Sequence, residues 1–598
     1  MVLGILILTS LLFNIGLQAL ATASLSKGLQ WIYLSPVQFV FSTLFILTLQ
    51  CVIWSVSGAL KRTIFFTCSF LSLLGAASYL KVSAIGKPLF PADFAVLSDL
   101  YDLSKNIFHI RPFEMSALIV LSLIVLGIAW QFWNLLKSDF LGTKFRCILG
   151  GIAASLLLVV CLANNPIHQF FFEQQFHFSR SRSDASLSEN GLIINFILML
   201  RQGQLPTPSH YNFETLERLN STYKNTESLA QNRQPASVVH PDIVVVMSES
   251  LFDPLRLKGL RWKKDPLKFT RSLMNNEEVS NAIVPTFGGK TANTEFEFLT
   301  GHSIRFFSPG TVPYKSYIET EQLSIPRILR EQGYRTVAIH PGLKAFWNRE
   351  NVYPFLGFSK FIYDEDFLHA TRFGNFISDE SILEVLKTSM QEDSSPSFHF
   401  IVTIQNHMPY DNPFDFKDML FEDQNLQPGE KVVLNHYSKL VQASDHFHES
   451  LVTYLKSRKR PTVLLLFGDH LPSLMDNFGV YSGRLVETQD RGQWTQADFV
   501  NMYSTPLVTW SNFPLKKEDK PIEISFVGVR LLHQLGIELP PYYNFLNELS
   551  HHLSVVNPNL EMPHDANLKK WVQDYKVFQY ETLTSGVSTL KTDRVLAN

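Results

Sequence analysis

PDIVVVMSES, residues Pro241 to Ser250, is the stretch on which the fold of this chain turns. Ile243 to Met247 form a short apolar run without polar alternation, the pattern of a strand buried on both faces. Three more runs of this kind follow: TVAIH (Thr336 to His340), FHFIVTI (Phe398 to Ile404) and TVLLLF (Thr462 to Phe467). Amphipathic segments such as SIPRILREQGY and ESILEVLKTSM fall between them. Strands alternating with helices predict a doubly wound α/β domain, with a mostly parallel sheet covered by helices on both faces. That domain is assigned to residues 241–545, with residues 546–598 as a C-terminal segment packed on it.

Sheets of this type bind ligands just beyond the carboxyl ends of their strands. The first strand runs into Ser248-Glu249-Ser250, and Thr462 to Phe467 runs into Gly468-Asp469-His470. Phe398 to Ile404 runs into Gln405-Asn406-His407, and Thr336 to Ile339 ends at His340. A single carboxylate after a strand is an ordinary cap or turn residue, and a histidine such as His399 is ordinary core. Four strands ending in acids, imidazoles or amides is the informative coincidence. Glu249, Asp469 and His470 offer two carboxylates and an imidazole to one divalent ion. That set suits Mn²⁺ or Zn²⁺, with Mg²⁺ as a further candidate.

VPTFGGKTANTEFEFLTG (Val284 to Gly301) supplies a candidate fourth group, Thr291. Threonine at a helix start reads as a cap. It reads equally as a nucleophile beside the ion, its proton loosened as that of a bound water is. Gly288 and Gly289 let backbone approach a phosphoryl group, and the helix N-terminus favours its charge. GGKT also echoes a P-loop, but the glycine required five residues before Gly289 is absent, since that position is Val284.

Working outward to the N-terminus, five apolar runs read as membrane spans: Val2 to Leu25, Val37 to Val56, Ile64 to Leu80, Met115 to Leu136 and Cys147 to Ala163. Each suits a hydrocarbon core of about 30 Å. The first is too long, and lacks the basic flank, for a cleaved signal peptide. Lys61 and Arg62, then Lys137, Lys144 and Arg146, mark the short loops two and four as cytoplasmic. The N-terminus is therefore expected inside, and everything after the five-span region (residues 1–163) outside. Residues 164–240 read as a linker. Within it GLIINFILML (Gly191 to Leu200) is too short to span, and reads as an interfacial helix or as one packed under the soluble domain.

Formal net charge over 598 residues is −2, which argues against nucleic acid as a partner. All four cysteines, Cys51, Cys68, Cys147 and Cys161, lie in the apolar region, so the soluble part has neither disulfides nor a cysteine metal cluster.

SES at 248–250, GGKTANTEFEFLTG at 288–301, FWNRENVY at 346–353, NHMPY at 406–410 and FGDH at 467–470 resemble, in content and order, the lipoteichoic acid synthases and related phosphoglycerol transferases. These form a sulfatase-like branch of the alkaline phosphatase superfamily, and the likeness covers nearly the whole chain, five spans included. It implies Thr291 as nucleophile and metal ligand, with Glu249, Asp469 and His470 completing a one-ion site usually filled by Mn²⁺. It further implies that Trp347, Asn348, Arg349 and His407 hold a glycerol phosphate headgroup, His407 also acting as catalytic acid and base. His340 matches another pocket histidine, followed here by Pro341-Gly342 where the synthases commonly have Gly-Asn.

The activity so implied moves glycerol phosphate from phosphatidylglycerol, releasing diacylglycerol, to a hydroxyl of an extracytoplasmic glycan, glycolipid or polyglycerol phosphate. It would be carried out by a multi-pass protein of a bacterial cytoplasmic membrane. Phosphoethanolamine transfer is the alternative, although those enzymes usually carry disulfides in the soluble domain. A sulfatase needs a cysteine-derived nucleophile, and none can form here. A silent receptor or scaffold would show erosion of the metal set, whereas Glu249, Thr291, Asp469 and His470 are all present.

Overall fold

The computed structural model describes residues 2–22, 24–99, 142–161, 176, 183–201, 205–224, 240–274, 281–391, 395–410, 418–515, 520–562 and 564–586. The chain divides into two compact units: Met1–Gln204 with Ser308–Gly310, and Leu205–Phe307 with Thr311–Asn598.

The first unit is helical: α1 (Val2–Ala21), α2 (Leu25–Leu34), α3 (Pro36–Ser57), α4 (Leu60–Ile85), α5 (Thr143–Cys161) and α6 (Ser183–Arg201). Among the described residues, α1, α3, α4 and residues Lys144–Cys161 of α5 are long and apolar enough to cross a membrane. The expected span Met115 to Leu136 lies outside the described residues. The expected first span, Val2 to Leu25, is divided, because Ser24 accepts a hydrogen bond from Lys27 N–H and caps a new helix, α2. Pro36 starts α3, while Gly58 (φ 64°) and Gly86 (φ 67°) close α3 and α4 in the left-handed conformation.

α6 contains the apolar run GLIINFILML. It belongs to the helical unit, with Leu192, Ile194 and Ile197 in that unit's buried core. Gly191 kinks it at φ 78°, and the freed backbone groups need partners in apolar surroundings. Gln18 and Trp31 supply them: Gln18 Nε2 donates to Leu187 O, Leu192 N–H donates to Gln18 Oε1, and Trp31 Nε1 donates to Glu189 O.

The second unit is built on an eight-stranded sheet. Its strands are β1 (Asp242–Ser248), β2 (Asn281–Ile283), β3 (Arg335–Ile339), β4 (Lys360–Ile362), β5 (Ser397–Val402), β6 (Thr462–Gly468), β7 (Ser504–Ser511) and β8 (Ile522–Glu523). Their order is β8-β2-β7-β6-β1-β5-β3-β4, and only β7 runs against the rest. The four strands read from sequence, β1, β3, β5 and β6, form the centre of this sheet. Every residue of β1, β5 and β6 is buried, as continuous apolar runs require. At about 1.5–3 kcal/mol for each fully buried Val, Leu or Ile, these strands hold the sheet together. The missed strands have physical reasons. β2, β4 and β8 are two or three residues long, and β7 (STPLVTWS) mixes proline and hydroxyl residues into its run.

Five helices position the site: α7 (Thr291–Thr300), α8 (Asp379–Ser389), α9 (Pro428–Ser457), α10 (Ile524–Gln534) and α12 (Ala566–Ser585), with α11 (Pro541–His552) between the last two. All ten residues of α7 are buried. Phe298 sets this helix on the sheet, stacking on Phe400 of β5 (5.8 Å between centroids) and leaning on Phe467 of β6 (5.0 Å).

Candidate active site

The site forms where β1, β5 and β6 end. Past β1 the chain turns sharply at Ser250 (φ 50°), whose N–H donates to Asp469 Oδ1 at 2.7 Å. Glu249 N–H donates to Thr403 Oγ1 at 3.0 Å, just beyond β5. These bonds fix Glu249 against the Asp469-His470 pair that follows β6. One ligand atom from each of Glu249, Asp469 and His470 lies within 4.8 Å of the others, and all three residues are buried.

The chemistry of the cluster fits a divalent cation. His470 Nδ1 stands 3.0 Å from Leu471 O, which places the ring proton on Nδ1 and the lone pair on Nε2. That lone pair lies 3.2 Å from Asp469 Oδ2 and 3.9 Å from Glu249 Oε1. Asp469 Oδ2 and His470 Nε2 are buried with no hydrogen-bond partner. A buried acceptor without a donor costs about 1–3 kcal/mol, and a shared cation removes that cost for both. Burial, reinforced by the charge of Asp469, pushes the Glu249 carboxyl well above the ordinary carboxylate range.

Thr291 is the first residue of α7, and Lys290, in the left-handed conformation (φ 66°), occupies the cap position. The threonine hydroxyl therefore does not cap the helix. It points at the acidic cluster, with Oγ1 3.4 Å from Glu249 Oε2. Gly288 (φ 66°) and Gly289 (φ 146°) bring the chain in, and no atom lies within 4 Å of where a Gly289 Cβ would stand. One wall of the approach to Thr291 is thus bare backbone.

Thr291, Thr294 and Glu295 share a face of α7 by their i, i+3, i+4 spacing. Thr294 Oγ1 donates to Asp469 O at 2.7 Å, tying the helix to the loop after β6. Glu295 holds Arg349: Arg349 Nε donates to Glu295 Oε1 at 3.0 Å and Nη2 bonds the same oxygen, while Tyr353 OH donates to Oε2 at 2.8 Å. Arg349 is 1% exposed and its Nη1 has no partner, so one prong of the fork is left for another acceptor. Glu295, Thr294 and Thr403 escaped sequence reasoning; the first two were legible only as helical neighbours of Thr291.

The remaining expected residues gather around this core to different degrees. The Arg349 charge acts on both Glu249 and His340, and His407 acts on His340. Burial, then Arg349, holds the His340 imidazole neutral, with Nδ1 donating to Val402 O at 3.0 Å. Its Nε2 faces Gly342, where a Cβ would come within 2.5 Å. Half-buried His407 sends Nδ1 to Met408 O at 2.7 Å, leaving Nε2 for proton transfer. Trp347 and Asn348 both adopt the left-handed conformation, at φ 59° and 63°. Asn348 is engaged within the fold, donating to Tyr314 O and accepting from Asn351 Nδ2.

A parallel sheet topped by two carboxylates, an imidazole and a helix-borne threonine, on a chain with membrane-spanning helices, defines a sulfatase-like membrane hydrolase or transferase. The Sulfatase family model matches residues 241–537. The chain is 30% identical over 517 residues to a protein assigned to cyclic β-1,2-glucan modification in Rhizobium meliloti (strain 1021), covering 82% of this chain and 76% of that protein. It is 26% identical over 305 residues to lipoteichoic acid synthase of Staphylococcus aureus (strain USA300), spanning 48% of this chain and 44% of the synthase. Among solved structures, the phosphoglycerol transferase GacH of Streptococcus pyogenes, in complex with sn-glycerol-1-phosphate, superposes with a TM-score of 0.54 at 25% identity, over 63% of this chain and 95% of that one. The chain belongs to the lipoteichoic acid synthase-like branch of the alkaline phosphatase superfamily, as a membrane phosphotransferase.

Proposed function

We propose that the protein transfers glycerol phosphate from phosphatidylglycerol to a hydroxyl of an extracytoplasmic glycan, in two displacements through Thr291. The observation that carries this reading is Thr291 Oγ1, at a helix start behind bare glycine backbone, 3.4 Å from Glu249 Oε2 in a cluster of unpartnered ligand atoms. Glu249, Asp469 and His470 would hold one divalent ion, Mn²⁺ by family resemblance, with Thr291 beside it. Once bound, such an ion would offset the two carboxylate charges and make the threonine proton easier to lose.

In the first displacement Thr291 Oγ, its proton already lost to solvent, forms a bond to phosphorus, the bond from phosphorus to the diacylglycerol oxygen breaks, and protonated His407 gives that oxygen its proton; Thr291 Oγ leaves the second displacement ionised again. In the second, now-neutral His407 accepts the proton of the acceptor hydroxyl as its oxygen bonds to phosphorus and the bond to Thr291 Oγ breaks. Arg349, fixed by Glu295, offers its remaining N–H groups to a phosphate oxygen, and neutral His340 lines the same pocket. Likeness to a protein assigned to glucan modification favours a glucan as acceptor over a glycolipid or polyglycerol phosphate. Basic residues in the short loops between the apolar runs support a catalytic unit outside the cytoplasmic membrane.

The test uses purified protein in bilayers containing headgroup-labelled phosphatidylglycerol and Mn²⁺. Diacylglycerol release and a labelled adduct on Thr291 are expected, both lost in Thr291→Ala. Equal release by Thr291→Ala overturns the nucleophile, and turnover of labelled phosphatidylethanolamine alone replaces the donor.

A further inference from the structure

The turn that carries Glu249 is shaped by a residue whose side chain the chemistry above does not use. Ser250 is buried, and its backbone is left-handed at φ 50°, a conformation that glycine holds with less strain than a residue bearing a Cβ. All three of its polar groups are engaged. Its N–H donates to Asp469 Oδ1 at 2.7 Å, its Oγ donates to Glu249 Oε1 at 2.8 Å, and its carbonyl accepts from Tyr437 OH of α9 at 2.7 Å. The Tyr437 oxygen also accepts the Phe252 N–H at 2.9 Å, so one phenol grips the turn at two backbone groups. The turn lies close on the end of β6, where a Cβ at Gly468 would stand 2.4 Å from Leu251 O.

These bonds separate the oxygens of the two acids. Asp469 Oδ1 accepts the N–H of Ser250 and, at 2.8 Å, that of His470, while Oδ2 has no donor and lies 3.2 Å from His470 Nε2. Glu249 Oε1 accepts the Ser250 hydroxyl, while Oε2 stands 3.4 Å from Thr291 Oγ1. A serine thus occupies a position whose backbone suits glycine, and its hydroxyl is spent on a carboxylate of the cluster. Strain held in this way at a cluster of ligand atoms points to function.

We infer that Ser250 is a positioning residue for the metal site: by holding Glu249 Oε1 through its hydroxyl and Asp469 Oδ1 through its N–H, it fixes the rotation of both ligating carboxylates. This rests on the metal reading proposed above. Removing a partner of a ligating group lowers metal affinity by about 10–100-fold.

The experiment is calorimetric titration of the full-length protein with Mn²⁺, alongside thermal unfolding without metal. Ser250→Ala and Ser250→Gly both remove the hydroxyl, but only the second relieves the left-handed backbone. Both are expected to bind Mn²⁺ more weakly by tenfold or more, although Ser250→Gly unfolds at a higher temperature than Ser250→Ala. A residue needed only for the shape of the turn would instead let affinity return with stability. Ser250→Gly decides the matter even where Ser250→Ala does not fold. Parent-like Mn²⁺ affinity in either variant overturns the inference, because the hydroxyl then contributes nothing to binding. Absence of Mn²⁺ binding by the parent protein overturns the metal reading, and the inference with it.

Discussion

At the scale of single residues, the site is set by what burial does to charge. Without an ion, Glu249 prefers to keep its proton, because burial and Asp469 both disfavour the carboxylate. An incoming cation must displace that proton, so apparent Mn²⁺ affinity should rise with pH until Glu249 ionises unaided. Calorimetry in buffers of different ionisation enthalpy should show proton release on binding, and a pH-independent affinity would remove Glu249 from the ligand set. The linked effect on stability has a definite sign. A carboxyl whose pKa is raised on folding contributes stability below its unfolded value near 4.5, and that contribution is lost as pH climbs through the raised value. Ion-free protein should therefore lose unfolding temperature as pH rises from 5 towards 8, and added Mn²⁺ should reverse the slope. Arg349 offers a second test. Its partner Glu295 is wholly buried, so Glu295→Ala strands a guanidinium in the core, at about 3–5 kcal/mol. Chemical unfolding should show that loss, and Arg349→Lys should keep the charge but lose the fork that spans two acceptors. Much of this site was legible in sequence because strand ends converge by topology: Glu249, Asp469 and His470 each directly follow a readable strand. Glu295 and Thr403 were not legible, since a glutamate inside a helix and a threonine near a strand end look the same whether they hold the site or face water.

At the scale of elements, the helix that begins with Thr291 is held at both ends by the C-terminal part of the chain. Behind it, Gly301 O accepts from Tyr542 OH of α11 (2.9 Å) and Tyr575 OH of α12 (2.6 Å), and Tyr543 OH donates to Leu299 O. Gln579 of α12 pairs with both backbone groups of Ser303. Ahead of the diglycine, Asn557 Nδ2 donates to Val284 O and Asn559 Nδ2 to Pro285 O. The sequence marks residues 546–598 only as a segment packed on the domain; these contacts were not legible, because hydrogen bonds to carbonyls hundreds of residues away leave no pattern in either segment. Asn559→Ala should leave the buried Pro285 carbonyl without its donor, costing about 1–3 kcal/mol. Since that carbonyl lies close to Gly288, slower adduct formation on Thr291 with unchanged Mn²⁺ affinity is the expected signature. Loss of metal binding in Asn559→Ala would mean that the segment supports the whole site rather than the nucleophile loop.

At the scale of the molecule, the two units have separate cores and separate means of stabilisation. Within the helical unit Asn14 Nδ2 donates to Phe39 O and to Thr43 Oγ1, a pairing suited to helices in lipid, where no water satisfies a buried polar group. The second unit carries its own eight-stranded sheet, the entire metal cluster and the threonine helix, and all four cysteines lie outside it. A fragment from Leu205 to Asn598 should therefore fold without its membrane helices and without disulfides, its unfolding insensitive to reductant. It should bind Mn²⁺ as the full chain does, because every group of the cluster, and Thr403 that holds the Glu249 N–H, lies within it. Its activity should divide by substrate. A water-soluble glycerophosphodiester should be turned over at a rate near that of the full chain, whereas phosphatidylglycerol in vesicles should be used far more slowly, since tethering supplies an effective concentration of the membrane-bound donor that free diffusion does not. Equal use of vesicle lipid by fragment and full chain would show that the membrane helices contribute nothing to capture of the donor. A fragment that fails to bind Mn²⁺ while remaining folded would place part of the metal site's support in the helical unit.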